Sequence, residues 1–260
     1  MGNILTRILH FIFALIAYML FVLSMITFVL RLLDATQFME AITYEFQIGL
    51  AGSICMNIAL LALFGVPHSI MARSSFKKYS QQIMPMQIER SLYVLVAGIS
   101  LIALSCLWQP IHFEIWNIKT NFGMYATYSI FLIGLLLAVA STFMIDHFDL
   151  FGLKQPWNSL IGSGSQPIEF VTPSLYKVVR HPMMLGILLM LWSTPLMNAG
   201  HLLLSLGMTL YIVIGTWFEE RDLVRNFGEK YLQYKRTVPM LLPSLKQKER
   251  TAKDPIGGKI

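Results

Sequence analysis

The sequence predicts an all-α integral membrane protein of about five to six transmembrane helices, with a C-terminal helical hairpin and cytoplasmic amphipathic segments. Three observations predict it. Hydrophobic residues make up 55% of the 260 and charged residues 13%, with mean hydropathy +0.61; soluble domains carry about 25% charged residues. Apolar runs long enough to cross a bilayer recur along the chain. Finally, the thirty-six residues 183–218 contain no Asp, Glu, Lys or Arg. A straight helix of that length would run about 54 Å, far beyond a hydrocarbon core of roughly 30 Å, so this stretch must fold back on itself.

Six membrane segments follow in order: residues 8–30, 48–66, 91–108, 124–145, 182–194 and 201–218. The first is too long for a signal-peptide core, and no convincing cleavage site follows Arg31, so it reads as a retained helix. Residues 67–90 form an amphipathic interfacial segment with Lys77 and Lys78 at headgroup level. Residues 146–160 alternate aromatic and polar side chains, as an interface demands. Residues 161–167, rich in Gly and Ser, are a candidate lid hinge. The fifth segment is short; it tilts, or stops short of the far face. Pro182 suits the first position of its helix. The hairpin break falls between Pro195 and Gly200. From Glu219 the helix continues to Phe227, where Gly228 ends it, and a second amphipathic piece carries Tyr231 and Tyr234. Residues 1–245 read as one membrane domain and 246–260 as a disordered cytoplasmic tail.

Charge sets the orientation. With six crossings, eighteen of the twenty Lys and Arg residues fall on one face, leaving Arg31 and Lys119 on the other. Both termini are therefore expected in the cytoplasm. The net charge of +6 needs no nucleic acid; it follows from the positive-inside rule and attraction to anionic headgroups. Cys55 and Cys106 lie in predicted helices, where packing is their expected role, and neither a disulfide framework nor a zinc spacing is present. The sequence carries no signal for an oligomeric state.

The hairpin returns Arg180-His181 to the same face as Glu219-Glu220. Arg180 and His181 sit at a helix N-terminus, which attracts anions; an incoming carboxylate would gain backbone N–H groups and a guanidinium fork. The two glutamates suit an ammonium or another positive centre. A zwitterion, most simply an α-amino acid headgroup, can span the two. The plainer alternative is an interfacial anchor, with Glu219 paired to Arg180 as a strut.

The fuller pattern runs Arg-His-Pro-x-x-x-Gly (Arg180, His181, Pro182, Gly186), the apolar hairpin, Glu-Glu-x-x-Leu from Glu219, Phe-Gly-x-x-Tyr-x-x-Tyr to Tyr234, and Val-Pro-x-x-x-Pro to Pro243. It resembles the membrane methyltransferases of the isoprenylcysteine carboxyl and phosphatidylethanolamine type. The isoprenylcysteine enzymes usually carry an aromatic residue where Met184 stands, which argues against an isoprenylcysteine acceptor. Further segments, Pro67 to Lys77, Glu89 to Leu95, Trp108 to Ile111 and Asp146 to Gln155, are similar to the bacterial methanethiol S-methyltransferase family, related to NnrU membrane proteins. The resemblance implies transfer of a methyl group from S-adenosylmethionine to methanethiol, giving dimethyl sulfide, at the cytoplasmic side of the bacterial inner membrane. It implies a cofactor-binding part over residues 146–243, with His181, Pro182, Gly186, Glu219, Glu220, Tyr176, Tyr231 and Tyr234 as candidates. No metal is implied.

A thiol is a weak nucleophile until ionised, so a cation or base belongs beside it. Arg180, His147 and His68 are the candidates, with Asp146 placed to orient His147. Each has an alternative role: Asp146 as a helix cap, His147 and His68 as interfacial or packed histidines, and the two C-terminal tyrosines as part of an aromatic belt. Other open readings are a different small thiol, an isoprenylcysteine or a lipid as acceptor, or a non-enzymatic membrane accessory protein. A transporter is disfavoured, because ionisable residues are nearly absent from the helix centres.

Overall fold

The computed structural model describes residues 3–164 and 170–243. Five helices are long and apolar enough to span a membrane: α1 (Ile4–Leu32), α2 (Gly49–Met71), α4 (Met86–Leu107), α5 (Asn121–Ile145) and α9 (Ala199–Phe227). A sixth apolar helix, α8 (Pro182–Trp192), has eleven residues, about 16 Å, and cannot cross alone. Short pieces lie between them: α3 (Ser74–Ile83), α6 (His147–Leu150), α7 (Lys154–Ile161) and α10 (Glu229–Thr237).

The centre of the bundle is α4. Of its apolar window 44% is buried, against 22–28% for the other four long helices, which present rows of Ile, Leu and Val outward to lipid. It packs on α1 and α2, while α5 packs on α8 and α2 crosses α9. Glycines on both helices permit the α5–α8 contact. A Cβ on Gly134 of α5 would lie 2.7 Å from the carbonyl oxygen of Gly186, and one on Gly186 of α8 would lie 2.5 Å from that of Gly134. In lipid, helices associate through such small-residue approaches, because chain burial alone gains little there.

The sequence is legible in the helix ends. Thr120 caps α5 by accepting from Gly123 N–H, and Asn198 caps α9 by accepting from His201 N–H at 2.8 Å. Gly228, with φ +56°, terminates α9 and turns the chain into α10. The expected break at residues 195–200 is where α8 and α9 separate. Three features differ from expectation, the third being the outward-facing Cys55. First, α2 continues through Pro67 to Met71 rather than ending at 66; proline removes one N–H donor, but the surrounding packing holds the last turn. Second, a two-stranded antiparallel sheet joins β1 (Glu114–Asn117), in the α4–α5 connection, to β2 (Leu196–Asn198). The sheet lies in the break between α8 and α9. Cys106 is buried, whereas Cys55 faces outward on α2 and does not pack in the core. Residues 165–167 of the expected lid hinge, and the 246–260 tail, lie outside the described residues.

A candidate site organised by a buried glutamate

Four segments meet where the hairpin closes: the N-terminus of α8, the end of α9, α10, and the extended stretch after it. Glu220, 2% exposed, stands at their centre. Thr216 and Glu220 continue the buried stripe of α9 set by Met208 and Ile212, so one helical face carries the carboxylate inward. Its Oε1 accepts from Arg180 Nε at 2.6 Å and from His181 Nε2 at 3.3 Å, and its Oε2 meets Lys235 Nζ at 2.8 Å. A buried carboxylate is tolerable only with this kind of compensation.

Arg180 is engaged further. Its Nη1 donates to the carbonyls of Lys235 and Val238, and its backbone N–H donates to Pro239 O at 2.9 Å. The His181 N–H donates to Met240 O at 3.1 Å. The segment around Val238-Pro239 is thus tied to the start of α8. Arg180 pairs with Glu220, not with Glu219. Glu219 stays exposed, its Oε2 3.6 Å from His181 Nδ1. The α8 N-terminus, with Pro182 at its first position, has no side-chain cap. An uncapped helix start and an exposed carboxylate therefore lie side by side, offering opposite charge to a ligand.

The aromatic residues form an adjoining wall. Tyr231 is buried against Phe170 and Tyr234, and the Tyr234 hydroxyl donates to Tyr176 O at 2.5 Å. Burial raises the pKa of the Tyr176 and Tyr231 phenols and pushes Tyr234 up to about 12, so all three are neutral donors at neutral pH. Tyr231 has no free ring face for an adenine; Tyr176 and Tyr234 remain half-buried. Gly186 sits one turn inside α8 at the contact with α5, serving helix approach.

The other sequence candidates fall into two separate clusters. Asp146 caps α6 through Asp149 N–H and is ion-paired with Lys154. Burial would raise its pKa, but the bonds from Lys154 and Asp149 outweigh it and lower it. His147 is pinned at both nitrogens: Nε2 lies 2.9 Å from the Tyr18 hydroxyl and Nδ1 2.8 Å from Thr142 Oγ1. The single Thr142 proton goes to Val139 O at 2.7 Å, so Nδ1 carries the imidazole proton and Nε2 accepts from Tyr18. Burial lowers the pKa of His147, which agrees with a neutral ring stacked on Phe143. His68 stands on α2, where its Nε2 meets the Tyr93 hydroxyl at 2.6 Å.

Lys235, Tyr93 and Tyr18 are the participants that sequence reasoning missed. Lys235 adjoins Tyr234 on α10, and only the turn at Gly228 brings it back over Glu220. Tyr93 and Tyr18 lie in apolar segments whose partners are far away in sequence.

Comparison with known proteins identifies the family. The sequence profile of the NnrU protein family matches residues 56–243. Methanethiol S-methyltransferase 2 of Bradyrhizobium diazoefficiens is 45% identical over 78% of this chain and 78% of its own length. Methanethiol S-methyltransferase 1 of the same bacterium is 40% identical over 93% of this chain and 85% of its own. Nurim of Xenopus laevis is 30% identical over 70% of this chain and 68% of its own. No solved structure matches. With the profile covering the chain from within α2 through the Glu220 centre, the chain belongs to the NnrU protein family.

Proposed function

We propose that this protein is a methanethiol S-methyltransferase of the bacterial inner membrane that uses S-adenosylmethionine at the cytoplasmic face, with both termini on that side. The observation that carries the reading is the pairing of an uncapped α8 N-terminus with the exposed Glu219 carboxylate, both held in place by the buried Glu220 centre. These opposite charges suit the carboxylate and the cationic groups of an amino-acid sulfonium. The acceptor follows from the relatives named methanethiol S-methyltransferase, which are 40–45% identical over most of the chain. The positive-inside charge distribution supports the orientation.

When bound, S-adenosylmethionine supplies a methyl group already activated on a sulfonium. The protein's part is to bind, orient and exclude water. The first N–H groups of α8 would receive the carboxylate, and Glu219 with His181 would face the cationic side. Glu220 and Arg180 hold those groups without reaching the ligand, and the neutral Tyr176 and Tyr234 wall the site. The apolar bundle admits a small uncharged thiol from the bilayer.

Purified full-length protein in nanodiscs, given S-adenosylmethionine labelled in its methyl group and methanethiol, is expected to release labelled dimethyl sulfide. No labelled product, in a preparation that binds S-adenosylhomocysteine by calorimetry, would defeat the acceptor assignment; a lipid and larger-thiol panel run beside it would identify the replacement.

A further inference from the structure

Four residues stand as candidates to act on the thiol, and the structure separates them. Arg180 is a permanent cation with no site for a proton, and it is bonded to Glu220 and two carbonyls. Asp146 is held by Lys154 and the α6 cap. Both nitrogens of His147 are occupied by Tyr18 and Thr142. His68 differs: its Nε2 faces Tyr93, while its Nδ1 has no hydrogen-bond partner among the described residues. Buried polar atoms are almost always paired, so an orphan ring nitrogen calls for an explanation.

The ring lies among Phe64 of its own helix, Tyr93 of α4 and Tyr211 of α9, with centroid separations of 5.2, 4.8 and 6.0 Å. Gly65 permits this approach, since a Cβ there would lie 3.2 Å from the Tyr211 ring. Charge is close by. The Arg90 guanidinium lies 5.3 Å from the Tyr93 ring centroid, and Arg73 packs over Phe218, beside Glu219. Tyr211 and Glu219 are eight residues apart on α9, which sets them on one helical face. The His68 cluster therefore lies along the side of α9 that leads to the exposed carboxylate of the proposed cofactor site.

We propose that His68 is the group that accepts the thiol proton, through Nδ1, and that Tyr93 is the positioning residue that keeps Nδ1 bare. This rests on the methyltransferase reading above. With the neutral proton on Nε2, that N–H donates to the Tyr93 oxygen and the Nδ1 lone pair is free. As the thiol arrives, its S–H bond breaks, an N–H bond forms at Nδ1, and the electron pair stays on sulfur as thiolate. The Nε2–H···O bond persists through the change, so no second proton has to move. The resulting imidazolium faces the thiolate as an ion pair.

The test uses full-length protein in nanodiscs, with methanethiol and the far more acidic 2,2,2-trifluoroethanethiol as acceptors. His68→Gln is expected to lose about a hundredfold or more in rate on methanethiol, the usual worth of a general base. It should lose much less on trifluoroethanethiol, which ionises unaided, and added imidazole should recover part of the methanethiol rate. Tyr93→Phe should show a smaller loss with the same dependence on thiol acidity. Calorimetry with S-adenosylhomocysteine is expected to give unchanged affinity in both variants. Equal losses on the two thiols, or an undiminished methanethiol rate in His68→Gln, would overturn the proposal while leaving the methyltransferase reading intact. A wild-type protein that methylates neither thiol would instead remove the reading beneath it.

Discussion

Arg180 and Glu220, forty residues apart in the chain, lie 2.6 Å apart between Nε and Oε1, both almost fully buried. The pair joins the start of α8 to the end of α9, and the carbonyls that also hold Arg180 add α10 and its exit. Removing one partner from such a centre leaves an uncompensated charge in the interior. Glu220→Ala is therefore expected to lower stability by about 3–5 kcal/mol and to abolish cofactor binding, read by thermal unfolding in detergent and by calorimetry. Glu219→Gln, at an exposed position, should leave the unfolding temperature nearly unchanged while weakening S-adenosylhomocysteine binding. Equal effects from the two substitutions would contradict the division between a structural and a ligand-facing glutamate.

Gly186 belongs to the sequence motif yet touches α5. A side chain there must displace the Gly134 carbonyl and the Ala138 backbone nitrogen, 2.5 and 2.6 Å from the added Cβ. Gly186→Val should destabilise the protein by about 1–3 kcal/mol, as overpacking does, and Gly134→Val should do the same. If Gly186→Val folded with wild-type stability and lost only ligand affinity, the residue would be a ligand contact instead.

Tyr234 provides a pH test. Burial pushes its pKa up to about 12, with Arg180 opposing and Glu220 adding to the effect. The unfolded phenol ionises near 10. Its contribution to stability is thus complete below about pH 10 and lost as pH rises toward 12. Wild-type unfolding temperature should fall across that window, and Tyr234→Phe should show a weaker fall. Near neutral pH the same variant should lose about 1 kcal/mol, the ordinary value of a hydrogen bond, here the one to Tyr176 O.

His147 sits in a motif that suggests catalysis, but its two ring bonds describe a fastening between α1, α5 and α6. His147→Ala is expected to lower the unfolding temperature, with methyl transfer per folded molecule within about twofold of wild type. A hundredfold drop in the turnover of folded protein, the scale of a lost general base, would move the proton-accepting role from His68 to His147.

Orientation can be read by cysteine labelling after Cys55→Ser, since Cys106 is buried. Lys119→Cys, beside the β1–β2 sheet, should react with a membrane-impermeant maleimide added to whole cells. Lys78→Cys on α3 should react only after lysis. The reverse pattern would invert the proposed topology.

The helical architecture was readable in advance because it depends on local properties. Pro182, the 195–200 break and Gly228 each act within a few residues, and each marks an element boundary in the structure. The polar partners were not readable in the same way. Lys235 reaches Glu220 only because α10 folds back, and the β1–β2 pairing joins two segments about eighty residues apart that show no strand pattern of their own.

The sequence by itself determined that the chain enters the membrane, which segments do so, and that the ends of the last two apolar segments return to one face, since hydropathy and charge act along the chain. Only the tertiary structure decided which charges pair. It joined Arg180 to Glu220 rather than Glu219, committed both nitrogens of His147, and left Nδ1 of His68 without a partner among the described residues. Those outcomes depend on side-chain direction to within an ångström, which helix packing sets and residue order alone does not.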